Sequence, residues 1–362
     1  MYIKNNKCLI IIALAAFLGF WKNEASAQTI NYARPYIVVD VNTGDVLAQN
    51  NSFEPWFPAS LTKMMTAYLA FKAMTDGSLN KNSQIILSKY DVSQAPSKSG
   101  YRAGTILSLD TALKIMLVKS TNDIATAIGK TIAKNNAVFV AMMNDQAKKL
   151  EMSYSHFTSA NGLPNINNYS TARDLALLAI ALRRDFPQYA YYFNIKALDL
   201  SQKGQIVLNS NNLLGRVEGI NGMKTGYICA SGYNLVASAK RGNREIIAVV
   251  LGAPRLDIRE EVTANLLELG FNSSDLKIKN NIFNMRPRHK YAKHPPNLRS
   301  EMCNIKAAKM RLHYLDKNFR PILNSPYITA QAKDLNILRV KPIYEPVIHS
   351  VRLKNNHNKK AA

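Results

Sequence analysis

Two kinds of hydrophobic pattern alternate along this chain. Residues 35–50 (PYIVVDVNTGDVLAQN) place β-rich runs on either side of Asn42-Thr43-Gly44-Asp45, a turn signal, and predict a hairpin. Residues 109–119 set Leu109, Ala112, Leu113, Met116 and Leu117 at helical spacing. Helices are also expected over 60–74, 124–133, 137–150 and 172–183, the last strongly apolar with Ser170 or Thr171 placed to cap it. Beyond Tyr192 strand patterns return, over 222–228, 233–240 and 245–251. Arg241-Gly242-Asn243-Arg244 reads as the turn joining the last two, and a helix over 259–269 closes the region. Strands, then helices, then strands and a helix predict an α+β domain. Its sheet is completed by the two ends of the chain, with a helical insert between them.

Both termini depart from these patterns. Lys4 and Lys7 precede an apolar run of 13 residues, 8–20, and Ala25-Ser26-Ala27 follows as a small-x-small pattern. Residues 1–27 are therefore expected to be a cleaved signal peptide, with Gln28 first in the mature chain; an uncleaved anchor is the alternative, disfavoured by the shortness of the run. The globular region is expected over 28–272. Residues 273–362 hold 19 Lys or Arg against 5 Asp or Glu, which is +14 of the chain's net +23, and seven prolines. They read as a basic tail, partly disordered, with a few short strands. Charge alone would fit nucleic acid, an anionic membrane surface or an anionic wall polymer. Export excludes the first and leaves peripheral contact with wall or membrane. The polar residues 351–362 argue against a firm amphipathic anchor. Cys229 and Cys303 lack metal-ligand spacing; export leaves a disulfide open, but nothing local supports one and the expectation is two free thiols.

The chemistry sits in three short motifs. In Ser60-Leu61-Thr62-Lys63, three-residue spacing at the start of a helix puts both side chains on one face. A serine hydroxyl needs a base beside it to act as a nucleophile, and a lysine is a base only where its pKa is lowered. Ser120-Thr121-Asn122 follows, then Lys224-Thr225-Gly226 about a hundred residues later. Each motif is weak alone; the three in this order behind an export signal are specific.

On these motifs the chain resembles the low-molecular-mass penicillin-binding proteins, the serine D-alanyl-D-alanine carboxypeptidases. The resemblance runs from about Ala33 to Gly270 and takes in Ser159-Ala160-Asn161-Gly162-Leu163-Pro164, Tyr169-Ser170-Thr171-Ala172-Arg173-Asp174 and Ser231-Gly232-Tyr233. It implies a β-lactamase/transpeptidase-like fold: an antiparallel sheet flanked by helices, an all-helical lobe, and a site in the cleft between. It implies that Ser60 attacks the penultimate D-alanine of a peptidoglycan stem peptide, that Lys63 takes its proton and that Ser120 relays a proton to the leaving amine. Asn122 holds Lys63 and the substrate backbone, and Lys224 and Thr225 bind the terminal carboxylate. Gly226 lets substrate lie close to the strand, and the backbone N–H groups of Ser60 and Tyr227 form the oxyanion hole. Lys224 is also a plausible source of the positive charge that keeps Lys63 neutral. No cofactor or metal is expected, and β-lactams are expected as covalent inhibitors.

Three other readings compete. A DD-endopeptidase acting on cross-links would use the same residues. A β-lactamase would need a deacylating glutamate, but between Asn122 and Lys224 the only glutamates are Glu151 and Glu218, neither in such a loop. A non-catalytic wall-binding protein leaves the intact motifs unexplained. A histidine triad is excluded by composition: of six histidines only His156 lies outside the tail, with no acidic orienter in a recognisable motif.

Overall fold

The computed structural model describes residues 32–200, 205–273 and 280–346, without 288, 293, 319 and 331. The expected signal peptide and residues 351–362 lie outside the described residues. In chain order the strands are β1 (Tyr36–Asp40), β2 (Val46–Asn50), β3 (Gln84–Ile86), β4 (Ile106–Ser108), β5 (Ala197–Asp199), β6 (Ile206–Leu208), β7 (Ile220–Ile228), β8 (Gly232–Arg241), β9 (Arg244–Ala253) and β10 (Ile337–Arg339). The helices are α1 (Lys63–Thr75), α2 (Lys89–Ser93), α3 (Leu109–Val118), α4 (Asn122–Ala133), α5 (Asn136–Lys149), α6 (Ala172–Asp185), α7 (Leu256–Phe271), α8 (Arg299–Met302) and α9 (Ile305–Leu312).

The central sheet is antiparallel in the order β2-β1-β9-β8-β7, so the two ends of the globular chain meet at the β1–β9 pairing, Tyr36 opposite Val250. This is the α+β layout expected from the sequence. Period-two alternation splits the core between the sheet's faces. Val236, Ile247, Val249 and Leu251 join the buried cluster with α1, α3, α4 and α6. Leu235, Ala237, Ile246, Ala248 and Val250 face the other way, onto Ala264, Leu266 and Leu267 of α7. Gly242 turns the β8–β9 hairpin at φ +55°, a conformation that glycine adopts without steric cost. Thr171 caps α6, its hydroxyl accepting from the Asp174 N–H at 3.1 Å. The helical insert also carries a small two-stranded antiparallel sheet, β3 with β4, that apolar periodicity did not mark because each strand is only three residues long.

The described tail is mostly irregular with a short strand, as expected, and one expectation about it needs correction. Its described residues lie on the globular body. The Val46 N–H donates to the Asn280 carbonyl at 3.0 Å, Ile282 is buried, β10 pairs in parallel with β5, and Tyr344 bridges Ile106. Long-range pairings of this kind leave no local periodicity to read. The two cysteines are not free, as was expected of them: Cys229 and Cys303 form a disulfide with their Cα atoms 5.7 Å apart, a spacing that only the folded tail creates.

Candidate active site

Ser60 lies in a 3-10 turn, Ala59–Thr62, that runs directly into α1. The turn is held from both sides. Trp56 and Ser170 exchange backbone bonds of 2.7 and 3.0 Å, and the Arg173 N–H donates to the Ser52 carbonyl at 2.9 Å. Residues 169–174 thus buttress the turn and do not enter the cleft.

Lys63, the first residue of α1, is fully buried. Its Nζ lies 2.8 Å from Ser60 Oγ, 2.7 Å from Asn122 Oδ1 and 2.7 Å from the Asn161 carbonyl oxygen. Asn122 Nδ2 donates to the Ala95 carbonyl at 2.9 Å, which fixes its oxygen toward the lysine. Two of the three neighbours can only accept, whereas the serine hydroxyl can also donate. A neutral amine with two N–H groups and one lone pair satisfies all three. Burial holds the Lys63 pKa well below the ordinary lysine value. The charge of Lys224 lowers it further, and the Asp123 carboxylate opposes both. The positive charge of Lys224, singled out from the sequence, is therefore the second cause, behind desolvation.

Lys224 is the mirror case on β7, the edge strand of the sheet. It too is buried, and its Nζ donates to Ser120 Oγ at 2.9 Å and to the Thr225 carbonyl at 3.0 Å. Burial first, then the Arg259 guanidinium, bring its pKa down to about 7. Ser120 reaches it from a left-handed conformation, φ +63°, just ahead of α4.

Gly226 has a second reason besides the one the sequence suggested. A Cβ there would stand 2.7 Å from the Pro58 carbonyl oxygen and 3.2 Å from the backbone nitrogens of Ser60 and Leu61. The glycine lets β7 press against the Ser60 turn itself. Gly162 makes a similar approach from the other side, with Ala59 in the way of any side chain.

A cleft of about 450 Å³ brings Ser60, Ser120, Asn122, Thr225, Gly226 and Tyr227 to one surface, with Lys63 and Lys224 buried behind it. Among the lining residues that sequence reasoning missed are Arg259 and Ser210. Arg259 of α7 donates to the Ser210 carbonyl at 3.1 Å and pairs with Glu260; Ser210 Oγ lies 2.6 Å from Thr225 Oγ1. Neither sits in a motif: the packing of α7 against the sheet delivers Arg259, and the loop after β6 delivers Ser210. The Asn161 carbonyl was missed because a backbone acceptor has no residue-type signal. His156 is elsewhere, its Nδ1 2.7 Å from the Asn167 carbonyl oxygen at the surface.

The family description D-alanyl-D-alanine carboxypeptidase, peptidase S11, matches residues 22–255. The chain belongs to that family. It is 31% identical over 274 residues to D-alanyl-D-alanine carboxypeptidase DacA of Haemophilus influenzae, covering 72% of this chain and 69% of that one. It is 33% identical to DacC of Escherichia coli, covering 73% of this chain and 66% of the relative, so the match spans about two thirds of the curated relatives' length. Among solved structures, penicillin-binding protein 5 of Haemophilus influenzae superposes with a TM-score of 0.63 at 32% identity, covering 66% of this chain and 71% of that one. Penicillin-binding protein D2 of Listeria monocytogenes, in its ampicillin-bound form, gives 0.58 at 31% identity, covering 66% and 97%. Family and fold thus agree with the α+β layout and with a serine peptidase. Among the described residues no helix is long and apolar enough to cross a membrane.

Proposed function

We propose that this family member removes the terminal D-alanine from peptidoglycan stem peptides through a Ser60 acyl-enzyme, in the service of cell-wall biogenesis. The observation that carries this reading is the buried Lys63 amine 2.8 Å from Ser60 Oγ, in surroundings that favour its neutral form. Ser60 Oγ attacks the carbonyl carbon of the penultimate D-alanine as its proton passes to Lys63 Nζ. The backbone N–H groups of Ser60 and Tyr227 receive the oxyanion, each contributing about 3–4 kcal/mol to the transition state. The C–N bond then breaks: Ser120, bonded to Lys224, gives its proton to the departing amine and regains one from Lys63, which is neutral again for the next step. Water hydrolyses the ester by the reverse sequence of proton transfers. Asn122 holds Lys63 in place and offers its amide to the substrate backbone. Lys224 and Thr225 hold the terminal carboxylate, as a cation and a hydroxyl can. Because β7 is an edge strand, an extended peptide can lie along it past Gly226.

β-Lactams would acylate the same serine, as the ampicillin- and cefotaxime-bound forms of the Listeria protein lead one to expect. The reaction would take place outside the cytoplasm in the periplasm, after removal of residues 1–27, with 28–272 as the catalytic unit. The basic residues of 273–362 would rest against an anionic wall or membrane surface, a contact that rising salt should release. The decisive test is a penicillin adduct mapped by mass spectrometry, together with D-alanine release from a pentapeptide stem. Mass on the Ser60 peptide and release of D-alanine are expected. Mass on any other peptide sinks the reading.

A further inference from the structure

The tail segment that carries Cys303 lies beside Tyr227 of the cleft wall, beyond the end of the family match at residue 255. Cys229 follows Tyr227 by two residues, just past the end of β7. Around the bridge the tail is fastened on several sides. The Leu298 N–H donates to the Ala230 carbonyl at 3.0 Å, Arg34 pairs with Glu301 at 2.5 Å, and Met302 is buried. Arg311 donates to the Met302 carbonyl, and the Arg255 guanidinium lies 3.6 Å above the Tyr314 ring. Tyr227, 37% exposed, lines the cleft with its hydroxyl 3.4 Å from Cys303 Sγ and its ring 4.3 Å from that of Tyr233, which also lines it.

We propose that the Cys229–Cys303 bridge is a positioning device for substrate: it holds the tail turn 298–303 against the end of β7, so that Tyr227 and Tyr233 form a fixed wall for the part of the stem peptide that precedes the two D-alanines. The inference rests on the carboxypeptidase reading. As far as Gly226, β7 is held against the Ser60 turn, which keeps the Tyr227 N–H in place; the strand end past that point is free to fray, and the bridge to the tail keeps the Tyr227 ring beside Tyr233. A short substrate that ends near the scissile bond does not reach this wall, whereas a full stem does. The bridge therefore acts on KM for long substrates and leaves the chemical step alone.

The test uses the exported full chain. Peptide mapping without reduction should recover the peptides of Cys229 and Cys303 linked; alkylatable thiols at both positions overturn the proposal. Steady-state kinetics then compare oxidised wild type, Cys303→Ser, and wild type reduced by a dithiol and alkylated. The substrates are a pentapeptide stem and a minimal N-acyl-D-alanyl-D-alanine. In both bridge-less forms, KM for the pentapeptide should rise about 5–10-fold with kcat and the minimal substrate within about twofold. Equal losses on both substrates, no change on either, or collapse of the reduced wild type by circular dichroism would each overturn it. Penicillin labelling of the oxidised protein reports separately on the carboxypeptidase reading.

Discussion

Two lysines are buried on opposite walls of one cleft, and their surroundings differ in a way that separates their tasks. Lys63 rises from the first turn of a helix into three oxygens, two of which can only accept. Lys224 lies on an edge strand against a hydroxyl and its neighbour's carbonyl, with Arg259 contributing a second positive charge nearby. The first environment favours an amine with a lone pair directed at Ser60. The second gives a pKa of about 7, so Lys224 carries its proton below neutrality and regains it readily when a carboxylate arrives. Burial alone makes a lysine neutral; which neighbours remain decides whether it serves as a base or as an anion receptor.

The comparison breaks first at Lys63. Lys63→Ala removes the proposed base and should lower the rate of penicillin acylation by about 10⁴-fold, with the fold retained by circular dichroism. A loss below tenfold would mean that another group takes the Ser60 proton. Next comes Gly226→Ala, which forces a methyl group toward the Pro58 carbonyl and the Ser60 nitrogen. Stopped-flow acylation should slow by about 10²-fold, since misplacement of about 1 Å costs that much.

Lys224→Met sharpens the contrast. It should raise KM for carboxylate-bearing substrates by about 10–100-fold, as expected for a lost charged hydrogen bond. Because desolvation leads and Lys224 follows among the causes of the Lys63 shift, the acid limb of kcat in this variant should move only slightly. A large upward move would give Lys224 the leading part after all.

The smallest effect is on stability. Folding lowers the Lys224 pKa from the ordinary lysine value to about 7, so between about pH 7 and pH 10 the unfolded chain binds more protons than the folded one. The Lys224 contribution to stability therefore rises with pH across that window. Lys224→Met should flatten this slope and raise Tm at pH 7 by a few degrees, read by differential scanning calorimetry. A lower Tm would show that the buried cation is fully compensated by its partners.

The sequence made the two walls legible to different depths. Helical spacing foretold the Ser60–Lys63 contact because both residues belong to one turn. The order of the strands foretold that β1 would complete the sheet, and the three motifs named the residues that the fold gathers around the cleft. What stayed hidden depends on contacts between distant segments. The third oxygen at Lys63 is a backbone carbonyl of Asn161, invisible as a residue type. Arg259 reaches the cleft only because α7 packs on the sheet behind β8. Gly226 looked like room for substrate, and the structure shows that it is also room for the Ser60 turn. The Cys229–Cys303 pair spans 74 residues and became a bridge only once the tail was laid against β7.

The most direct measurement of the central claim is an NMR titration of the lysine ε-carbons, with Lys63 and Lys224 assigned by single substitution to arginine. Lys63 should give up its proton well below the ordinary lysine range, while Lys224 titrates near 7. A Lys63 signal that titrates at the ordinary lysine value would contradict the account.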